Sequence, residues 1–262
     1  MDPATLAGLA LAFGAIFTAA ILEGASPMAI FLIPPMVLVF FGTFGAALAG
    51  STLADVKATL AALPRYLTAT VTPPDQVVDT LVALAGKARK EGLLALGDAV
   101  RTVEDPFLKR GLEFAIDGTD PEELAEILEG EIRARKKAAK VSSKLFTDLG
   151  GYAPTVGIIG TVMSLVHVLG MLSEPDKLGA SIASAFLATL WGVLSANIIW
   201  LPISKRIDRI AEIEAAHMEL AIEGILAIQS GSNPRLVAQK LKALLPPSAK
   251  PGSASGATAK AA

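Results

Sequence analysis

The feature that most constrains this chain is a set of four stretches without a formal charge: residues 3–22, 24–54, 149–173 and 178–204. A helix rises about 1.5 Å per residue, so about 20 apolar residues cross a hydrocarbon core of about 30 Å. Each run meets that length, and the chain as a whole is 52% hydrophobic. The expected fold is all-α: a polytopic membrane protein with four transmembrane helices and a helical cytoplasmic domain between helices two and three. A cleaved signal sequence is the competing reading of the first run, but Met1 and Asp2 supply none of the basic residues such a peptide needs.

The net charge of -2 conceals a very uneven layout. Of the 23 Lys and Arg residues, 14 lie between positions 51 and 148, eight follow position 204, and only Lys177 separates the third and fourth runs. Basic residues near membrane ends stay cytoplasmic. Both termini and the middle segment are therefore expected in the cytoplasm, with short outside connections near residues 23–26 and 174–177. Most of the soluble mass of a multi-pass plasma-membrane protein would face inward, and the layout gives no reason to expect nucleic acid as a partner.

Enzyme chemistry finds little support. There is no cysteine, hence no disulfide, thiol nucleophile or thiolate metal site, and only two histidines are present. No Ser/His/Asp set, metal-ligand spacing or glycine-rich phosphate loop emerges, and no cofactor is expected.

The organisation read from the pattern is: membrane helices one and two over residues 1–50, a cytoplasmic helical domain over 51–148, membrane helices three and four over 149–204, a cytoplasmic C-terminal helix over 205–245, and a disordered tail over 246–262. Within the middle segment, the apolar spacing of Val77, Val78, Leu81, Leu84 and Ala85 predicts a helix over 75–99. A second helix begins at Pro106. A third begins at Asp120-Pro121-Glu122-Glu123, with an N-cap acid, proline at the first position and carboxylates against the positive dipole end. It is expected to lead without interruption into the third apolar run. The polar tail PPSAKPGSASGATAKAA has too little apolar content to pack.

Inside the membrane runs, small and hydroxylated residues recur at helical spacing. Gly157, Gly160, Thr161 and Ser164 share a face of the third run, and Ser181, Ser184, Ala185, Ala188, Thr189, Gly192, Ser195 and Ala196 form a stripe along the fourth. Small residues let helix backbones approach closely where lipid supplies no hydrophobic drive. The hydroxyls of Thr161 and Thr189 can equally bond their own helix or face water. None of the four runs contains Asp, Glu, Lys or Arg, although ion pathways usually place a titratable group in the membrane. His167 is the one titratable side chain there and reads as a packing or interfacial residue. Pro154 and Pro202 lie near the cytoplasmic ends of the third and fourth runs, and Pro34-Pro35 are expected to interrupt the second helix.

AFLATLWGVLSANIIWLP, residues 185–202, resembles the signature of the flagellar stator MotA family, within the wider MotA/TolQ/ExbB group. YAPTVGIIGTVMSLV before it, ARKEGLLAL at 88–96 and GLEFAIDGTDPEELAEILEGEI at 111–132 support the likeness. The resemblance implies an ion-driven torque generator: five such subunits around a dimer of a single-pass MotB-type partner, whose membrane aspartate binds the moving H+ or Na+, with the rotor protein FliG pushed by the cytoplasmic segment. Gly160, Thr161, Ser164 and Thr189 would face the ion pathway and partner, with Thr161 and Thr189 as possible Na+ contacts. Threonine at position 161 leans toward sodium. Pro154 and Pro202 would be the conformational prolines.

By the same resemblance Arg89 is the rotor-facing arginine, with Lys90 and Glu91 as neighbours. The acidic companion expected eight residues on is replaced by Gly97, and Asp98 follows one helical step, about 100°, away. The nearest alternative is a TolQ- or ExbB-like energiser of a cell-envelope partner, which usually has three membrane helices. A transport-free scaffold is the other, and Thr189→Ala separates it from a stator.

Overall fold

The computed structural model describes residues 3–24, 26–69 and 73–245. The expected tail lies outside the described residues. Every described element is helical. Helix α1, Pro3–Leu22, ends ahead of Gly24, whose φ of 75° turns the chain. A 3-10 turn, Pro27–Ile30, precedes α2, Ile33–Ala49. Pro34 and Pro35 stand in the first turn of α2, where no intrahelical donor is needed, so they start this helix and do not interrupt it. The second uncharged run is thereby divided, and α2 is 17 residues long.

Helix α3, Leu53–Thr68, was not anticipated as an element. Thr52 caps it, its hydroxyl accepting from the Asp55 amide at 3.1 Å and donating to the Asp55 carboxylate at 2.8 Å. Helix α4, Pro74–Glu91, stops at Gly92, whose φ is 88°. A 3-10 turn, Leu93–Ala95, and the short α5, Leu96–Val100, follow. The helix expected over 75–99 is thus broken, because a left-handed glycine ends a helix by releasing the next residues into a new direction.

Asp105 caps α6, Pro106–Ile116, accepting from the Phe107 amide at 2.8 Å. Asp120 likewise accepts from Glu122 at 2.9 Å and opens α7, Pro121–Gly170, which runs unbroken for 50 residues as expected. Helix α8, Pro175–Leu194, passes through a π-helical segment, Ser195–Trp200, into α9, Leu201–Gln229. Gly231, with φ 70°, and the Asn233 cap then separate α10, Pro234–Leu244. The C-terminal segment 205–245 is therefore two helices.

The helices form two compact units, residues 1–70 with 138–210, and 71–137 with 211–262, and the boundaries fall inside α7 and α9. The second unit has an aliphatic and aromatic core: Val78, Leu81, Leu96, Phe107, Leu112, Leu124, Leu128, Ile225, Val237 and Leu241 are all buried. The first unit inverts this pattern. Leu11 of α1 is 77% exposed, and Ile158, Val162, Val166, Leu169, Phe186 and Val193 on α7 and α8 are also exposed. Three helical stretches, within 5–22, 121–170 and 178–229, are long and apolar enough to cross a membrane, and α2 is a shorter apolar helix.

Within the first unit, aromatic rings join α2 to α8. Trp191 donates its indole N–H to the Ile30 carbonyl at 2.8 Å and packs against Phe31 and Phe40. Phe40 and Phe44 meet Trp200 edge-on at 6.3 and 5.4 Å between centroids. Such pairs contribute about 0.5–1.5 kcal/mol each beyond area burial.

Candidate functional site

Helices α7 and α8 cross at glycine. A Cβ on Gly157 would lie 2.8 Å from the Ala188 carbonyl oxygen and 3.2 Å from the Cα of Gly192. A Cβ on Gly192 would lie 2.6 Å from the Ala153 carbonyl oxygen and 3.3 Å from the Cα of Pro154. Both contacts are with backbone, which has nowhere to retreat. The small-residue pattern thus permits direct backbone contact, the arrangement that membrane helices use in place of hydrophobic drive.

One turn beyond this crossing, the two threonines meet. Thr161 Oγ1 lies 2.9 Å from the Ala185 carbonyl oxygen and 3.2 Å from that of Gly157, and within hydrogen-bonding distance of Thr189 Oγ1. A hydroxyl carries one hydrogen and two acceptor sites. Thr161 can donate to the Ala185 carbonyl across the helix pair or to the Gly157 carbonyl on its own helix, and either hydroxyl can donate in the bond between Thr161 and Thr189. In either direction Thr189 keeps at least one uncommitted lone pair, on a side chain that is only half-buried. A cation, or a group bearing a proton, would meet an acceptor at Thr189 first.

Gly160 and Ser164, which the sequence placed with Thr161, face a different neighbour. A Cβ on Gly160 would meet the Ala188 methyl and the Leu38 side chain, each at 2.8 Å. Gly160 and Ser164 line a groove of about 440 Å3 between α2, α7 and α8, together with Pro35, His167, Ser181 and Ser184. The anticipated face is thus two surfaces, a threonine contact and a hydroxyl-lined groove.

Both prolines expected to act in conformational change sit inside helices. Pro154 lies in the interior of α7 beside the glycine crossing. Pro202 is the second residue of α9, directly after the π-helical segment. Proline lacks the N–H that would bond one turn back, and a π turn re-registers the bonding around such a gap.

The charged candidates lie in the second unit. Arg89, Lys90 and Glu91 occupy the exposed last turn of α4, where the two cations suit the negative dipole end. Asp98 is exposed on α5, beyond the turn at Gly92. The 100° step between positions 97 and 98 therefore does not relate Asp98 to Arg89, since the two stand on different helices. None of the four makes an ion pair among the described residues.

Several contributors were not anticipated. Ser204 donates to the Ser143 carbonyl at 2.9 Å and pairs with Thr147 at 2.8 Å, while Thr59 bonds Ser142 at 3.3 Å, so hydroxyls tie α3, α7 and α9 together. Nothing in isolated Ser and Thr spacing distinguishes such contacts from solvated positions. Trp191 could have been suspected, because a buried indole N–H demands an acceptor.

The fold and site define a class first: a helical protein with membrane-length helices, a glycine crossing and a threonine pair without a carboxylate of its own. Residues 99–220 match the model of the MotA/TolQ/ExbB proton channel family. The chain is 35% identical to motility protein A of Borreliella burgdorferi over 247 residues, covering 94% of this chain and 95% of that one. Its structure is similar to that of C. jejuni MotAB, with a TM-score of 0.89, 28% identity and coverage of 94% of this chain and 96% of that one. It is also similar to the flagellar MotAB stator complex of Bacillus subtilis, with a TM-score of 0.85, 32% identity and coverage of 92% and 95%. This chain belongs to the MotA/TolQ/ExbB proton channel family.

Proposed function

We propose that this chain is the MotA-type subunit of a flagellar stator, which with a MotB-type single-pass partner converts ion flow into torque on the rotor. The observation that carries this reading is the likeness, over more than nine-tenths of the chain, to stator subunits solved as MotAB complexes. The site chemistry supports it. The four uncharged runs hold no Asp, Glu, Lys or Arg, so a carboxylate ion carrier has to come from another chain. Thr189, with an uncommitted lone pair, is the acceptor such a carrier would approach.

In this reading four helices cross the membrane: α1, α2, the second half of α7, and α8 with the π segment. The basic residues hold the segment between α2 and the membrane half of α7, and both termini, in the cytoplasm. Five copies surround the partner dimer. The unpaired charges Arg89, Lys90, Glu91 and Asp98 meet the rotor protein FliG, and Pro154 and Pro202 permit the helix adjustments that accompany ion release. The moving ion is H+, in keeping with the family's description as proton channels.

The test is rotation of tethered cells lacking their own stators and expressing this chain with its cognate partner. Rotation that persists when external sodium is replaced by potassium supports a proton-driven stator. Reversible arrest identifies sodium as the ion. No rotation, with rescue instead of a TolQ-deficient envelope, would overturn the stator reading.

A further inference from the structure

Where α2 gives way to α3, the apolar part of the first unit meets its first charges. Helix α2 ends at Gly50, and α7 carries no Asp, Glu, Lys or Arg beyond Asp148. The two helices touch closely, since a Cβ on Gly42 would lie 2.9 Å from the Val156 side chain. The bond from Thr59 to Ser142, at 3.3 Å, holds α3 against the charged stretch of α7. Between α3 and α7 lies a cavity of about 200 Å3 that touches both Gly50 and Asp148, and so sits where apolar helix surface ends. Asp55, Lys144 and Asp148 line it together with Val56, Val141 and Leu145.

The charges of this cavity do not satisfy one another. Lys144 donates to the two oxygens of Asp148 at 3.0 and 2.9 Å, and an ammonium has three hydrogens, so one donor is left over. Asp55 accepts from the Thr52 hydroxyl through one oxygen and has no cationic partner among the described residues. Helix capping accounts for the Thr52 and Asp55 pairing, but not for Lys144 and Asp148 on the neighbouring helix. The cavity thus offers an unneutralised carboxylate and a spare N–H on a cation. An anion alone would meet an excess of negative charge. A bare divalent cation would meet the Lys144 ammonium and find Asp148 already engaged. A group carrying both an ammonium and an anion suits both walls. On the α2 side the surface is apolar and open: Phe41, Phe44 and Leu48 are exposed, as is Tyr152 on α7, and a Cβ on Gly45 or Gly151 would meet nothing within 4 Å.

We infer that this cavity holds the headgroup of a zwitterionic phospholipid with a primary ammonium, phosphatidylethanolamine. The ammonium meets Asp55, the phosphate meets Lys144, and the acyl chains follow the exposed apolar surface of α2 and α7. A primary ammonium brings three hydrogens to the carboxylate, whereas a choline headgroup brings none and a glycerol headgroup brings no positive charge. The inference rests on the reading in which α2 and the second half of α7 cross the membrane.

The full chain, purified in detergent with its cognate partner, is mixed with equal amounts of phosphatidylethanolamine, phosphatidylcholine and phosphatidylglycerol, and retained lipid is counted by native mass spectrometry. Phosphatidylethanolamine is expected to be retained about three- to fivefold over each of the others, the size of effect a partly exposed charge pair produces. Asp55→Asn, which keeps an oxygen to accept from Thr52, should lower its retention to that of phosphatidylcholine. Asp208→Asn, at an exposed carboxylate of the same unit outside the cavity, should leave it unchanged. Equal retention of the three lipids by the parent chain overturns the site, as a neighbouring copy covering the cavity would produce, and that comparison needs no variant. Preference for phosphatidylglycerol, or an equal loss in Asp55→Asn and Asp208→Asn, also overturns it. Rotation of tethered cells reports on the stator separately: a motor that turns while lipid retention is unselective removes the headgroup site and leaves the stator standing.

Discussion

The two compact units solve the same packing problem with opposite materials. The unit formed by residues 71–137 and 211–262 buries large side chains: Phe107, Leu112, Leu124, Leu128 and Ile225 are each at most 1% exposed. The unit formed by 1–70 and 138–210 turns many of its large side chains outward and brings helices together at glycine, alanine and hydroxyl groups. The difference is the one expected between a unit packed in water and one packed in lipid. Burying apolar surface stabilises a fold in water by about 25 cal/mol per Å2, but gives nothing between helices already in lipid. There, close backbone approach and interhelical hydrogen bonds are what remain, and these are also the features that leave polar atoms near a pathway.

Breaking that contrast should have its largest effect at the glycine crossing. Gly192→Val would drive a branched side chain into the Ala153 carbonyl and the Pro154 Cα, so little folded protein should accumulate in the membrane. Gly8→Ala on α1, with open space around it, should accumulate normally. Immunoblots of membrane fractions check both, and equal levels would remove the crossing from the account.

Next comes the aliphatic core. Leu128→Ala should destabilise the second unit by about 2–5 kcal/mol, whereas Leu11→Ala, on the exposed face of α1, should change detergent-solubilised stability by about 0.5 kcal/mol or less. Denaturant midpoints of the purified full chain make the comparison.

A smaller effect should follow from His217, in the second unit. Burial lowers its pKa below the usual 6.5, and the carboxylates of Asp105 and Glu214 only partly oppose this. Folding thus favours the neutral ring. Its contribution is fully present above the unfolded value of about 6.5 and is lost as pH falls through the depressed folded value. His217→Gln should flatten the decline in stability as pH falls below about 6.5, and an unchanged pH profile would assign that decline elsewhere.

Much of the architecture was legible in the sequence because charge and period are strong signals. The uncharged runs marked the apolar helices, and Pro106 and Asp120-Pro121 marked helix starts that the structure bears out, with Asp105 as the cap of the first. The 50-residue α7 could be followed because its apolar pattern never breaks. Gly92 was the signal that ended α4 early, and it was outweighed by the periodicity on either side. Pro34-Pro35 read as an interruption because the preceding residues are as apolar as those that follow.

The site was less legible. Periodicity set Gly160, Thr161 and Ser164 on one face, but a helix contacted from two sides divides that face by a single residue step. Gly160 and Ser164 turn to the groove while Thr161 turns to α8. Which hydroxyls bond carbonyls and which stay unpaired depends on the neighbouring helix, and no spacing rule along one chain records it.

The most direct test of the threonine pair as the ion's contact is ion flow through stators carrying Thr189→Ala or Thr189→Ser, with membrane level and partner assembly measured alongside. Removing the acceptor should abolish flow and rotation in the alanine variant, while serine, which keeps the hydroxyl, should retain a substantial part of both. An assembled Thr189→Ala complex that conducts and rotates like the parent would contradict the role assigned to the pair.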